Sequence, residues 1–158
     1  MPYFLFKKNQ VRIQKAVNRT AKGISQLENS AVVQMMQLLQ TASVIGDVFS
    51  SKLLDHVNKH FIVTNKQYST SSLLRELEDR DLIEMIYDDN TSSEKFYRFN
   101  HPFTRVTLYQ MQPFEGQVRQ IHLKVIQFMK DNTMLDYTTG WSLDKEYSMM
   151  KRHIMSAE

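Results

Sequence analysis

The stretch Val32–Val57, VVQMMQLLQTASVIGDVFSSKLLDHV, reads as a helix, a stop, a short extended piece and a second helix. Met35, Leu38, Leu39 and Ala42 recur at steps of three and four, the spacing that lines side chains along one helix face. Gly46 stands where that periodicity ends, a position suited to a left-handed cap. Phe49 then offers one aromatic ring to a core. Ser50 or Ser51 supplies a hydroxyl to cap the next helix, which carries Leu53, Leu54 and Val57. The rest of the chain is expected to cover these two helices.

Upstream, residues 1–10 read as an extended piece ending in a polar turn. A helical stripe then follows in Ile13, Ala16, Val17, Ala21, Ile24 and Leu27, with Gly23 weakening it. Asn29-Ser30 reads as a break and as the cap of a helix from Ala31 to about Val44. Lys7, Lys8, Arg12, Lys15, Arg19 and Lys22 all precede the first acid, Glu28. The whole chain nets only +3, so the remainder is mildly acidic and the two parts need separate readings. A basic arm of this kind suits nucleic acid, an anionic membrane or an acidic protein tail. It suits equally a solvated helix face in a larger assembly.

Downstream, Phe61 to Thr64 is apolar and β-branched. Ser69 to Ser72 offers caps for a helix with Leu73, Leu74 and Leu77. Leu82 to Tyr87 and Lys95 to Phe99 are strand-like, joined by the polar run from Asp88 to Glu94, and predict a hairpin. Pro102 suits the first turn of a helix running to about Met111, with Pro113 ending it. Val118, Ile121, His122, Val125, Phe128 and Met129 form the clearest amphipathic stripe in the chain. Residues 131–141 read as a linker, and Ser142 as the cap of a last helix reaching Ile154. Three helices followed by a hairpin is the order of a winged helix-turn-helix. The expected fold is mainly α with a small antiparallel hairpin, a winged helix-turn-helix with helical extensions. Its expected divisions are a basic arm and helix over 1–29, a winged-helix domain over 30–112 and a helical extension over 113–158.

The chain has 158 residues and 42% hydrophobic composition, enough for one compact domain with a core, or for a small domain with arms. There is no apolar run long enough for a membrane span. Pro2 to Phe6 is too short for a signal-peptide core. The chain has no cysteine, which excludes a disulfide frame and a thiolate-bound metal. A cytoplasmic setting is the default.

Two segments resemble one family. Leu38-Leu39-x-x-Ala42-Ser43-Val44-Ile45-Gly46-x-x-Phe49-Ser50-x-x-Leu53-Leu54 resembles the helical segment after the ATPase core of signalling ATPases of the AAA/STAND type. Tyr97-Arg98-Phe99-Asn100-His101-Pro102-Phe103-x-Arg105-x-x-x-Tyr109 resembles the wing-to-helix junction of the same winged-helix module. Ile121-His122-Leu123 falls where those proteins carry a Leu-His pair. Bicarbonate-sensing soluble adenylyl cyclases carry this arrangement after their cyclase and ATPase domains. The resemblance spans about residues 24–130. It implies a non-catalytic accessory or scaffolding module that contacts an ATPase or cyclase core, or a protein partner. It also implies a cytosolic setting that includes the ciliary axoneme. The chain is then a piece of a larger protein or a short paralogue that kept the module. By the same resemblance, His101 is a nucleotide-sensing residue that touches the β-phosphate of ADP when an ATPase core is present. Where the family often has an acid after that histidine, this chain has Pro102.

Chemistry of the chain's own is not expected. A phosphate loop needs closely spaced glycines before a lysine. Gly23, Gly46, Gly116 and Gly140 begin no such run, and no cyclase residues are present. No cofactor is expected. His56 and His60 have zinc-ligand spacing, but Val57 stands where a metalloprotease glutamate would be. They read as a surface pair. Asp88, Asn90, Ser92 and Glu94 alternate like calcium ligands, yet the central glycine is missing and Phe99 takes the place of the bidentate glutamate. A nucleic-acid-binding winged helix is the alternative. Against it, the third helix from Ser71 to Asp81 sets Arg75 and Arg80 against Glu76, Glu78, Asp79 and Asp81. That excess of acid would repel phosphates.

Overall fold

The computed structural model describes residues 3–18, 26–61, 68–89, 94–111, 115–132 and 151–156. The fold is mainly helical with a small three-stranded antiparallel sheet. Backbone contacts divide the chain into two units, Met1–Met111 and Gln112–Glu158.

The first unit grows from the opening stretch. Helix α2 (Gln26–Ile45) buries Met35, Leu38, Leu39, Ala42 and Ile45. It stops at Gly46, whose N–H donates to the Ala42 carbonyl. Strand β1 (Val48–Ser50) follows, then helix α3 (Ser51–Phe61). Ser50 caps α3, because its hydroxyl accepts the N–H of Leu53 at 3.1 Å. The Ser51 hydroxyl instead accepts the N–H of Lys95 across the sheet. Leu53, Leu54 and Val57 are buried on the face that α3 turns inward.

Helix α4 (Thr70–Asp79) is capped by Ser69 and buries Leu73, Leu74 and Leu77. Its end is a Schellman turn. The Leu82 N–H reaches the Leu77 carbonyl and the Asp81 N–H reaches that of Glu78. Asp81 takes the left-handed conformation at φ 59°, a position where glycine is usual and aspartate is tolerated. Strands β2 (Ile83–Asp89) and β3 (Glu94–Phe99) then pair antiparallel, with a bulge between Met85 and Tyr87. The sheet order is β1-β3-β2, so β3 is central. Phe49 lies opposite Tyr97. Its ring is 6.1 Å from that of Tyr97 and 5.5 Å from that of Phe99. These three aromatics form a buried cluster across β1 and β3.

Helix α5 (Pro102–Gln110) packs against α2. The first helix, α1 (Tyr3–Asn18), packs on α5 and α2. In the second unit, α6 (Glu115–Asn132) buries Ile121, His122, Val125 and Ile126, and residues 151–156 are helical.

Two expectations are corrected. Residues 3–10 are helical, not extended. The run Tyr3-Phe4-Leu5-Phe6 has the composition of a strand, but Ile13 is buried and Asn9 bonds Thr107, so packing decides the conformation. Nor does the chain break at Asn29-Ser30, because α2 already begins at Gln26. Ser30 lies inside the helix, where its hydroxyl accepts from Gln34 at 3.5 Å. The expected linker beyond Asn132 and the cap at Ser142, the run from Ile62 to Thr64, and Pro113 lie outside the described residues.

Candidate functional site

The junction between β3 and α5 holds the residue singled out by the sequence. Asn100 leaves the sheet with its N–H on the Leu82 carbonyl. Its amide nitrogen donates to Asp81 Oδ1 at 2.7 Å. The end of α4 and the start of α5 are therefore tied together by one side chain. His101 follows in extended backbone, φ −127° and ψ 131°, as the residue that begins α5. Its carbonyl accepts the Thr104 N–H at 2.9 Å, and its imidazole makes no capping hydrogen bond. The ring is half-buried. Pro102 fills the first helical position, where a missing N–H costs nothing. Phe103 beside it is exposed.

One turn further, Arg105 fixes this helix to α2. Its Nε donates to the Ser43 carbonyl at 2.9 Å and its Nη1 to Asp47 Oδ1 at 3.2 Å. A cation on the last carbonyls of a helix also meets the negative end of the helix dipole. Thr107 continues the tie, donating to the Phe103 carbonyl and accepting from Asn9 of α1 at 2.8 Å. The junction is thus tied to α1, α2 and the end of α4 by side-chain hydrogen bonds, with one imidazole at the start of α5. A histidine N–H at a helix start is chemically suited to an anionic oxygen.

The basic residues divide. Lys7, Lys8, Arg12 and Lys15 lie exposed on α1, and Arg19 and Lys22 lie outside the described residues. Lys7 Nζ stands 5.1 Å from the centre of the Tyr3 ring. The cations of the sheet are paired, and so is Arg80 at the end of α4. Arg80 bonds Glu76 at 2.5 Å, Lys95 pairs with Asp88 at 3.3 Å, and Arg98 pairs with Glu84. Burial raises the pKa of the Tyr97 hydroxyl, and the charges of Glu78 and Asp88 raise it further.

Among the described residues, no group of three or more histidine, aspartate or glutamate side chains could hold a metal ion. Glu94 faces Lys52 at 3.7 Å, while Asn90 and Ser92 lie outside the described residues. His56 is half-buried on α3, and the side chain of His60 lies outside the described residues. No helix among the described residues is long and apolar enough to cross a membrane.

Sequence reasoning missed two features. Asn58 on α3 is 3% exposed, and among the described residues neither its Oδ1 nor its Nδ2 has a hydrogen-bond partner. In the second unit, His122 and His153 are both buried with their Nδ1 atoms 2.5 Å apart. The position of His122 on an apolar stripe was the available signal for the first of these histidines. His153 stands beside Lys151 and Arg152 on no comparable apolar stripe read from the sequence, so nothing marked the second. Comparison with protein-family models, with curated proteins and with solved structures found no match.

Proposed function

We propose that the chain is a winged-helix accessory module of a STAND-type ATPase or soluble adenylyl cyclase-like assembly. In this reading it has no catalytic chemistry of its own and makes protein–protein or interdomain contacts. The observation that supports it is the order α2-β1-α3-α4-β2-β3 with sheet order β1-β3-β2, followed directly by His101 at the start of α5. Three helices followed by a hairpin is the order expected of a winged helix-turn-helix. His101 would donate to the β-phosphate of ADP held by the core, and Arg105 would keep α5 fixed on α2 while it does so. A cytosolic setting, ciliary axoneme included, belongs to the same proposal.

The test is ADP binding by calorimetry, with the module joined to such a core. His101→Ala removes one charge-assisted hydrogen bond, and affinity should fall by about ten- to a hundredfold. Equal affinities would take His101 out of the mechanism. Tight ADP binding by the chain alone would overturn the accessory reading.

A nucleic-acid-binding winged helix is the competing reading. On α4 the exposed cation is Arg75, since Arg80 is held by Glu76, and Lys95 and Arg98 of the sheet are engaged with acids. Phosphate neutralisation, the main source of affinity for duplexes, would have to break those pairs. Labelled duplex titrated at low salt should show no submicromolar binding. Tight binding abolished by Arg75→Ala and Arg80→Ala together would establish the competing reading.

A further inference from the structure

We propose that the outward face of α1 is a docking surface for an anionic phospholipid bilayer. The helix has two unlike faces. Inward, Ile13 is buried, Phe6 and Ala16 are half-buried, and the Asn9 amide holds Thr107. Outward, Phe4 and Val11 stand two turns apart on one stripe and are 74% and 50% exposed. Around them Lys7, Lys8, Arg12 and Lys15 are all exposed, and no acid occurs anywhere in α1.

The charge of the face calls for an anionic partner, and its apolar centre decides which. A nucleic acid strand would satisfy the cations and could stack on Phe4. It would leave Val11, and Leu5 at the flank, in water. A bilayer interface takes both kinds of group. Aromatic and aliphatic side chains enter the boundary between headgroups and acyl chains, while lysines on long stems reach the lipid phosphates and carboxylates. Tyr3, with Lys7 over its ring, has the apolar body and polar tip that settle at headgroup level. The helix is already folded onto α5 and α2 through its other face. Docking therefore requires no ordering of the backbone, a cost that disordered basic segments carry.

The experiment is co-sedimentation of the full chain with vesicles of phosphatidylcholine alone, and of phosphatidylcholine with about one-third phosphatidylserine. Binding is expected only to the mixed vesicles and should weaken with added salt. Each basic residue close to such a surface is worth about fivefold in partitioning, so Lys8→Glu with Lys15→Glu should lower binding by about thirtyfold or more. Phe4→Ser should lower it by about tenfold. All three positions point away from the body, and an unchanged denaturation midpoint will show that the fold is kept.

Failure of the parent chain to bind mixed vesicles overturns the proposal. So does equal binding by the double charge reversal. Equal binding by Phe4→Ser also overturns it, because adsorption would then be by charge alone. Competition at lower concentration by a single-stranded oligonucleotide or by polyglutamate would assign the face to that other class of partner.

Discussion

Two phenylalanines show how differently one chain uses the same side chain. Phe49 is 1% exposed and stands between Tyr97 and Phe99 of the central strand. Phe4 on α1 is 74% exposed, with lysines around it. The ring at β1 is buried against rings of β3, about fifty residues further along the chain. The ring on α1 contributes little to folding and is free to meet something outside the protein. The region around Phe49 is built for stability, and the outer face of α1 is built for contact.

The sharpest way to break this comparison is to truncate both rings. Phe49→Ala removes a fully buried aromatic and leaves a cavity, so urea denaturation should show a loss of about 3–5 kcal/mol. Leu39→Ala on α2 should cost about 2–5 kcal/mol for the same reason. Phe4→Ala should stay within about 0.5 kcal/mol of the parent. Similar losses at Phe4 and Phe49 would show that α1 is part of the core on both faces.

Charged groups divide in the same way. Arg105 donates to a main-chain carbonyl at the end of α2 and to Asp47. Arg105→Ala should destabilise by about 1.5–3 kcal/mol, the usual worth of hydrogen bonds to a charged group. Lys8→Gln on α1 should move the denaturation midpoint hardly at all.

Asn58 tests the core from the opposite direction. It is the one position in the α2–α3 region where a buried side chain carries two polar atoms with no partner among the described contacts. Asn58→Leu keeps a similar shape and removes that desolvation penalty. Thermal or urea unfolding should show a gain of about 1–2 kcal/mol. A loss would mean that the amide contributes something its burial alone does not reveal.

The two regions also differ in how far the sequence discloses them. Helical periodicity marked Leu38, Leu39, Leu53 and Leu54 as core because each faces the same way as its neighbours. Phe49 followed from its place between a stop and a cap, while the hydroxyls of Ser50 and Ser51 left the choice of cap to the fold, which takes Ser50. The Schellman turn at Asp81 was not legible, since no glycine announces it and its geometry rests on backbone bonds to Leu77 and Glu78. Nor was the start of α1: the stripe from Ile13 reads as helix, but Tyr3 to Phe6 look like a strand until Ile13 is buried and Asn9 bonds Thr107. His101 was legible as a junction residue, because Pro102 beside it marks the first helical turn. The clamp by Arg105 was not, since it depends on Ser43 and Asp47, about sixty residues away in the chain. Local chemistry is read from sequence, whereas contacts between distant segments are read only from the fold.

The smallest effect concerns Asp55, which links α3 to α4. Its Oδ1 accepts the Thr70 hydroxyl at 2.8 Å, and its Oδ2 pairs with Lys59 at 2.9 Å. Burial acts first, pushing its pKa up. The hydrogen bonds from Lys59 and Thr70, then the charges of Lys59 and His56, together outweigh it, and the pKa lies below its ordinary 3.8. The folded state therefore holds this proton less tightly than the unfolded state does. Asp55 contributes its full stabilisation above pH 3.8, and that contribution is lost as pH falls from there through the lowered folded value. The side chain is 42% exposed, so solvent screening keeps the pair well under about 1 kcal/mol. Asp55→Asn should lower the urea midpoint slightly near neutral pH. The gap from the parent should close as the buffer is taken below 3.8. A gap that persists unchanged in acid would show that Asp55 joins the two helices by shape and not by charge. The lysines of α1, which have no acid beside them on that helix, should give no such pH-dependent gap when changed to glutamine.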